Sequence, residues 1–195
     1  MSRIVAQRGW VVALAPTPEL WARALPHRTQ IVQHLDAATV AFELGLTDGS
    51  VLLEAGTGSG AATVAFARAC APSGRVVSFD FNAPRVEKAA ADLAAMGLCP
   101  GLVDVRHGDV CADADVDAAF DAVFLDLPEP WKALDLVQRR AKPQARIAAY
   151  SPCLEQVQKT CAALRDTLHA DDLVTVEARL RDFQLTHLDF QPFAA

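Results

Sequence analysis

The sequence predicts an α/β fold in which helices cover both faces of a mostly parallel sheet. After about residue 50, short apolar runs alternate with longer segments of helical periodicity. The first run, Val51–Leu53, leads into glycines at alternate positions, as strands do before a tight turn into a helix. Strands and helices that alternate at this spacing form right-handed βαβ units, which produce a parallel, Rossmann-like sheet.

The individual elements follow from the apolar pattern. Each strand is a short apolar run, and each helix carries apolar residues at helical spacing. Asn82 and Pro84 are typical of an N-cap and a first helical turn. The predicted strands are Val51–Leu53, Arg75–Phe79, Val103–His107, Ala122–Leu125, Arg146–Tyr150 and Leu173–Leu180, and the predicted helices are Gly60–Cys70, Asn82–Met96, Trp131–Arg140 and Leu154–Leu168.

The chain divides into an N-terminal extension, residues 1–50, and a main domain, residues 51–195. The extension holds one predicted strand at Trp10–Ala15, a loop rich in Pro and Trp, and a helix near Asp36–Leu44. The last segment, Phe183–Ala195, shows no clear closing strand. We therefore expect both ends of the fold to depend on something absent from this chain.

Composition excludes several classes of protein. The 195 residues suffice for one domain with a sizeable core, and no apolar run approaches the ~18 residues of a membrane span. The N-terminus lacks a signal-peptide cleavage site, so we expect no secretion. Five scattered cysteines without a C-x-x-C pair argue against disulfides and zinc. With a net charge of -6, the chain needs help from elsewhere to hold a nucleic acid.

The glycine-rich turn indicates a nucleotide-type ligand. Gly56, Gly58 and Gly60 let the backbone approach a ligand closely, although an ordinary tight turn would look the same. Their spacing is G-x-G-x-G, whereas pyrophosphate sites have G-x-G-x-x-G. Glu54, at the end of the strand, repels phosphates and attracts a cation. The segment favours S-adenosylmethionine over NAD, which stays open as the alternative.

Acidic residues also end the next three strands. Asp80 lies about 20 residues after the glycines, where a carboxylate accepts hydrogen bonds from ribose hydroxyls, although it also suits a helix cap. Asp109 is placed to accept from an adenine amine. Asp126 ends the fourth strand of the main domain and is the catalytic candidate, because a carboxylate there would accept from adenine N6 and take up the proton released on N1 methylation. For Trp131 we favour packing beneath this loop over contact with the base.

Five blocks of sequence together resemble the catalytic subunit of the eukaryotic tRNA (adenine-58-N1)-methyltransferase, over about residues 9–180. They are Pro18-Glu-Leu-Trp21, Leu25-Pro-His-Arg-Thr-Gln-Ile31, Glu54-x-Gly-Thr-Gly-Ser-Gly60, Leu125-Asp-Leu-Pro-x-Pro-Trp131 and Ser151-Pro-Cys-x-Glu-Gln-Val-Gln158. The resemblance implies a class I methyltransferase fold that uses S-adenosylmethionine to methylate N1 of adenine 58 in the tRNA T-loop. It also implies a heterotetramer with a related non-catalytic subunit, and a nuclear location with the cytoplasm as the alternative.

The resemblance also implies roles for individual residues. Asp126 would be the catalytic carboxylate. Gln30 and Thr29 would close over the cofactor, and Arg28 would meet a phosphate or lie solvated at the surface. The cofactor would contact Val32, Glu54, Gly56, Gly58, Ser59, Gly60, Ala61, Asp80, Arg85, Asp109 and Val110. The target base would contact Gln30, Leu125, Leu127, Pro128, Ser151, Pro152 and Gln156.

Three departures from the family pattern leave other functions open. The chain holds at most the last strand of the family's N-terminal β-domain, Asp80 replaces the usual Glu, and the closing strand is missing. The first alternative is a catalytically inactive or truncated scaffold subunit of the same complex. Others are a methyltransferase with a different acceptor and, least favoured, an NAD enzyme. Intact Gly56, Gly58 and Asp126 favour an active enzyme over a scaffold.

Overall fold

The computed structural model describes residues 2–6, 9–25, 30–112, 114 and 116–181. These residues form two sheets and six α-helices. In chain order the elements are β1 (Ser2–Ala6), β2 (Gly9–Ala13), α1 (Pro18–Ala24), α2 (His34–Glu43), β3 (Val51–Ala55), α3 (Ala61–Cys70), β4 (Arg75–Asp80), α4 (Ala83–Ala95), β5 (Val103–His107), β6 (Phe120–Leu125), a 3-10 turn (Pro130–Ala133), α5 (Leu134–Arg140), β7 (Ala141–Ala149) and α6 (Leu154–Leu168).

The main sheet confirms the predicted fold class. Its five strands are parallel and lie in the order β5-β4-β3-β6-β7. The chain runs outward from β3 to β5, crosses back, and continues from β6 to β7 on the other side. The strand order therefore reverses between β3 and β6, which is where open α/β sheets bind their ligands.

Two apolar clusters cover the two faces of this sheet. Adjacent β3 residues point in opposite directions, since Leu52 packs in one cluster and Leu53 in the other. The first cluster includes Phe66 of α3, whose ring meets the ring of Phe124 edge-on at 5.0 Å, together with residues of α2 and α4. The second includes residues of α5 and α6, such as Leu164. Continuous burial on both faces explains the uninterrupted apolar runs.

The N-terminal region contains more structure than the sequence predicted. β1 and β2 form an antiparallel pair, whereas one strand was expected. The loop predicted between the first strand and first helix contains α1, whose N-cap Thr17 accepts a hydrogen bond from the Leu20 N–H at 3.3 Å. Pro18 at the first helical position supplies the fixed φ that a helix start favours. The Pro-rich composition of this segment was interpreted as a loop, although Pro18 begins a helix.

The predicted strand at Leu173–Leu180 is wrong. Residues 169–181 form no regular secondary structure. Chain direction changes where α6 ends, because His169 and Asp172 both adopt positive φ angles. Val174 and Val176, whose alternation suggested the strand, are exposed. A period-2 pattern stabilises a strand only when one face is buried and a neighbouring strand pairs with it.

Two smaller differences concern element ends. β7 begins at Ala141, five residues before the predicted start, and its pairing with β6 shifts between Phe120 and Ala122. The predicted helix at Trp131–Arg140 starts as a 3-10 turn and becomes α5 at Leu134.

Among the described residues, no helix is both long and apolar enough to cross a membrane.

Candidate functional site

A cavity of about 420 Å³ opens beside the carboxyl ends of β3 and β6, where the strand order reverses. It combines bare backbone, carboxylates from two strand ends and an apolar wall. Its lining consists of Gln30, Ile31, Val32, Gly56, Thr57, Gly58, Ser59, Ala61, Ala62, Asp80, Arg85, Asp126, Leu127, Pro128, Tyr150, Pro152 and Gln156. A second recess of the same volume is lined by Arg165 and residues 169–173, none of which lies at a strand end.

The glycine loop brings β3 into direct contact with the end of β6. Gly56 has a φ of 101°, and a Cβ on it would lie 2.4 Å from the carbonyl oxygen of Asp126. The N–H groups of Gly56 and Thr57 both donate to the Phe79 carbonyl, at 2.8 and 3.1 Å. Only glycine fits between these two strand ends, so the loop presents bare backbone to the cavity.

Asp80 links the glycine loop to the start of α4. Its Oδ2 accepts from the Gly58 N–H at 3.0 Å, and its Oδ1 accepts from the Asn82 N–H at 2.9 Å. The guanidinium of Arg85 lies 3.5 Å from Oδ1. The side chain is almost completely buried, yet the residue lines the cavity. Asp80 therefore shapes the glycine loop and lines the cavity, while the N-cap of α4 is Asn82. Its predicted contact with a ribose stays a prediction.

Glu54 lies beneath the loop and outside the cavity lining. It is 1% exposed, and its Oε2 accepts from the Thr63 hydroxyl at 2.7 Å and from the Ser78 hydroxyl at 2.6 Å. The hydroxyl of Thr57 lies 2.6 Å from that of Ser78 and extends this network to the cavity. Burial raises the pKa of Glu54 to about 7, and the charge of Asp126 adds to the shift. The expectation that Glu54 faces a cationic ligand directly is not met here, because the pleat turns it toward α3.

Asp126 is held at the centre of the site. Its N–H donates to the Ala55 carbonyl at 2.9 Å, which continues the pairing of β6 with β3 by one residue. Its side chain lines the cavity. Burial raises the pKa of Asp126 to about 6. A carboxylate with this pKa is ionised at neutral pH and takes up a proton more readily than an exposed aspartate.

The first turn of α6 adds to the lining an acceptor without a partner, the side-chain oxygen of Gln156. The Gln156 side chain donates through Nε2 to the Pro128 carbonyl at 3.0 Å, which ties α6 to the loop after β6. Its Oε1 is buried and has no hydrogen-bond partner. A buried, unpaired amide oxygen is costly, so a ligand that donates to it gains binding energy. Leu127, Pro128 and Pro152 provide the apolar surface around it.

Several predicted residues lie outside the cavity lining: Glu54, Gly60, Asp109, Val110, Leu125 and Ser151. Gly60 is the N-cap of α3, with a φ of 79°. Asp109 is exposed and its Oδ1 accepts from the Cys111 N–H at 2.9 Å, while Val110 is buried in the core. Leu125 is likewise a core residue. Thr29 and Arg28 lie outside the described residues.

The structure adds three lining residues that the sequence did not single out as site residues: Ile31, Ala62 and Tyr150. Thr57 also lines the cavity and belongs to the Glu54–Ala61 loop that the resemblance implied as a cofactor contact. Tyr150 follows β7, and its N–H donates to the Leu125 carbonyl at 2.9 Å. The sequence did contain a signal for Tyr150, because this sole tyrosine directly precedes the Ser151-Pro152 block. Trp131 packs against the core with Lys159 4.0 Å above its ring and does not line the cavity.

The chemistry of the lining limits what it can bind. Asp80 and Asp126 line the cavity and Glu54 lies beneath it, while Arg85 is the one basic side chain among the described residues of the lining. This balance disfavours pyrophosphate and favours a ligand with hydroxyl groups and a positive charge. The described residues contain no group of three or more side chains that could hold a metal ion.

Comparison with known proteins identifies the family. Residues 9–193 match the family model of the tRNA methyltransferase complex GCD14 subunit. The tRNA (adenine(58)-N(1))-methyltransferase catalytic subunit of Dictyostelium discoideum is 39% identical over 180 residues, which are 90% of this chain and 57% of that protein. The Schizosaccharomyces pombe subunit of the same name is 37% identical over an alignment of 198 positions, gaps included, that covers 94% of this chain and 54% of the relative. The chain thus spans about half the length of these relatives.

Solved structures share the fold. A SAM-dependent O-methyltransferase from Thermotoga maritima superposes with a TM-score of 0.74 at 29% identity, covering 85% of this chain and 62% of that one. A tRNA (m1A58) methyltransferase from Aquifex aeolicus gives a TM-score of 0.70 at 21% identity, covering 85% of this chain and 72% of that one. Both likenesses place the chain among class I methyltransferase folds.

Proposed function

The chain belongs to the GCD14 subunit family of the tRNA methyltransferase complex, and we propose that it transfers a methyl group from S-adenosylmethionine to N1 of adenine 58 in tRNA. The observation that carries this proposal is the position of Asp126. Its carboxylate ends β6 at the point where the strand order reverses, lines the cavity, and has a pKa raised to about 6 by burial. These properties suit a group that takes up a proton beside a bound cofactor.

The lining residues fit S-adenosylmethionine. The bare backbone of Gly56 and Gly58 leaves room for a ligand that lies against the chain, and Asp80 has carboxylate oxygens for ribose hydroxyls. Positive charge near Asp126 is favoured because its carboxylate lines the cavity and, within the part of the chain that the structure describes, Arg85 is the one basic side chain in the lining. When bound, S-adenosylmethionine supplies a methyl group activated by its sulfonium.

Asp126 and Gln156 are then available to the target base. The Asp126 carboxylate accepts a hydrogen bond from the N6 amine of adenine and takes up the proton that N1 methylation makes acidic. The unpartnered Oε1 of Gln156 is a second acceptor on the same wall. Pro128 and Pro152 add apolar surface to the same lining. The protein thus contributes alignment and proton transfer.

The acidic composition is consistent with a second subunit. A chain with a net charge of -6 gains little from phosphate contacts, whereas tRNA binding depends mainly on such contacts. We therefore propose that a related non-catalytic subunit supplies much of the basic surface, in a heterotetramer. The isolated chain should bind cofactor but hold tRNA weakly at physiological salt. Tight binding of tRNA by the chain alone would contradict this part of the proposal.

Transfer of tritiated methyl groups tests the function directly. The chain is assayed with and without the partner subunit, on tRNA and on a transcript with guanine in place of adenine 58. We expect label at N1 of adenine 58 and none on the substituted transcript. Asp126→Ala should lower methylation by ~10² or more while the affinity for S-adenosylhomocysteine changes by only a few-fold.

The possible failures have different meanings. Equal labelling of both transcripts would indicate another acceptor. Cofactor binding without methylation, even with the partner subunit, would favour the inactive scaffold. Methylation by Asp126→Ala at close to the wild-type rate would show that another group accepts the proton.

A further inference from the structure

We propose that Tyr150 is the residue on which the acceptor base stacks, and that Asp36 fixes the orientation of its ring. This inference rests on the proposed methylation of a nucleobase and extends it to the residue that holds the base. No contact assigned from the sequence involves either side chain.

Tyr150 is beside the catalytic candidate because of the sheet register. Leu125 at the end of β6 pairs with Ala149 at the end of β7, so the next residues, Asp126 and Tyr150, leave neighbouring strands side by side. The Tyr150 N–H donates to the Leu125 carbonyl at 2.9 Å and holds this arrangement. Both residues line the cavity. Among the lining residues that the structure describes, Tyr150 is the single aromatic one.

The hydroxyl of Tyr150 is tied to α2. It donates to Oδ2 of Asp36, in the first turn of that helix, at 3.3 Å. Burial, together with the neighbouring carboxylate of Asp36, raises the pKa of Tyr150, so the hydroxyl stays protonated and remains a donor. A second hydrogen bond joins α2 to β7, the strand that Tyr150 follows. In it, Nη1 of Arg146 in β7 donates to the carbonyl of Glu43 in α2 at 3.0 Å. The ring is thus fixed at its polar tip, while its apolar body remains beside the cavity.

A base that enters this cavity has lost its stacking neighbours in the tRNA loop. Enzymes that act on bases offset this loss by stacking the extruded base on aromatic or apolar side chains. Stacking on an aromatic ring is the largest such contribution that any of these lining residues can offer. The adjacent Asp126 would then meet the edge of the same base that Tyr150 holds by its face.

Fluorescence of 2-aminopurine tests the stacking. The base is placed at position 58 of tRNA and mixed with the full chain, the partner subunit and S-adenosylhomocysteine. Stacking quenches 2-aminopurine, whereas an extruded but unstacked base is bright. We expect a quenched base with wild type and a bright one with Tyr150→Leu. For methylation of ordinary tRNA, Tyr150→Leu should raise KM by about 10-fold or more, in line with the loss of one stacked base.

Further variants separate the effect of the Tyr150 ring from the effect of its hydrogen bond to Asp36. Tyr150→Phe keeps the aromatic face but loses the bond to Asp36, so it should retain most of the quenching with a smaller rise in KM. Asp36→Ala should resemble it, and the double variant should be no worse than either single one. Phe42→Leu, at a residue of α2 that is 79% exposed, is the matched aromatic control and should leave quenching and KM unchanged.

Two results would overturn the inference. One is quenching and KM for Tyr150→Leu equal to those of wild type, which would place the base elsewhere. The other is loss of S-adenosylhomocysteine binding by Tyr150→Leu together with its tRNA activity, which would make Tyr150 a structural residue. A wild-type complex that binds S-adenosylhomocysteine but methylates no tRNA refutes the proposed function itself, and the inference with it.

Discussion

Replacement of Gly56 by alanine tests how closely the glycine loop and the end of β6 depend on each other. Two independent penalties arise at this position. The φ of 101° is unfavourable for any residue with a side chain, and the new Cβ would lie 2.4 Å from the Asp126 carbonyl oxygen and 3.3 Å from the Asp126 Cβ. Because the near atom belongs to the backbone, the strand end itself has to move.

The magnitudes follow from these two penalties. A left-handed conformation costs an ordinary residue roughly 1–2 kcal/mol. Overpacking of a tight contact adds typically ~1–3 kcal/mol. Gly49 provides the control, because its φ is 87° and a Cβ there would meet nothing within 4 Å. We expect Gly49→Ala to lose roughly 1–2 kcal/mol of unfolding free energy, and Gly56→Ala roughly 2–5 kcal/mol.

Thermal melting and calorimetric titration measure the two effects. At ~2–4 °C per kcal/mol for a chain of this size, Gly56→Ala should melt a few to ~12 °C below Gly49→Ala. Its affinity for S-adenosylhomocysteine should fall about 10-fold or more, the equivalent of at least ~1.4 kcal/mol, because Asp126 and the loop are pushed apart. Gly49→Ala should keep its affinity. If both variants melt alike and bind alike, the close approach of Gly56 to Asp126 does not determine the site, and the reasoning fails.

Three other predictions concern the acidic groups and the amide. Methylation should rise with pH through about 6, because the Asp126 carboxylate is the proposed proton acceptor and burial has raised its pKa to about 6; a rate that is flat from pH 5 to pH 8 would contradict this role. Folded Glu54 binds a proton more tightly than the unfolded chain does, since its pKa is raised from 4.5 to about 7, so wild type should lose stability as pH rises from 4.5 to 7. Glu54→Gln should reduce that loss, and melting curves across this range compare the two. Gln156→Leu should raise KM for tRNA and leave S-adenosylhomocysteine affinity unchanged, as steady-state kinetics and titration would reveal, because it removes the unpartnered Oε1.

Much of the candidate site was predictable from local sequence. Gly56, Gly58, Asp80 and Asp126 follow strands whose apolar runs are unmistakable, and the carboxyl ends of neighbouring parallel strands meet at one edge. Their chemistry and position could therefore be predicted together. Glu54 was predicted at the correct strand end, but the direction of its side chain was not. Whether it faced a ligand or a helix depended on the packing of Thr63 and Ser78 around it.

By itself, the sequence determined the α/β fold class, the glycine turn and the acidic strand ends, because each depends on residues close together in the chain. Only the tertiary structure decided that Tyr150 lies beside Asp126 and bonds to Asp36, 114 residues away in the chain. It also decided that residues 173–180 form no strand, although their pattern alternates. The physical reason is the same in each case. Side-chain contacts and strand pairing depend on which distant segments the sheet brings together. The local sequence pattern does not specify which distant segment a residue will contact.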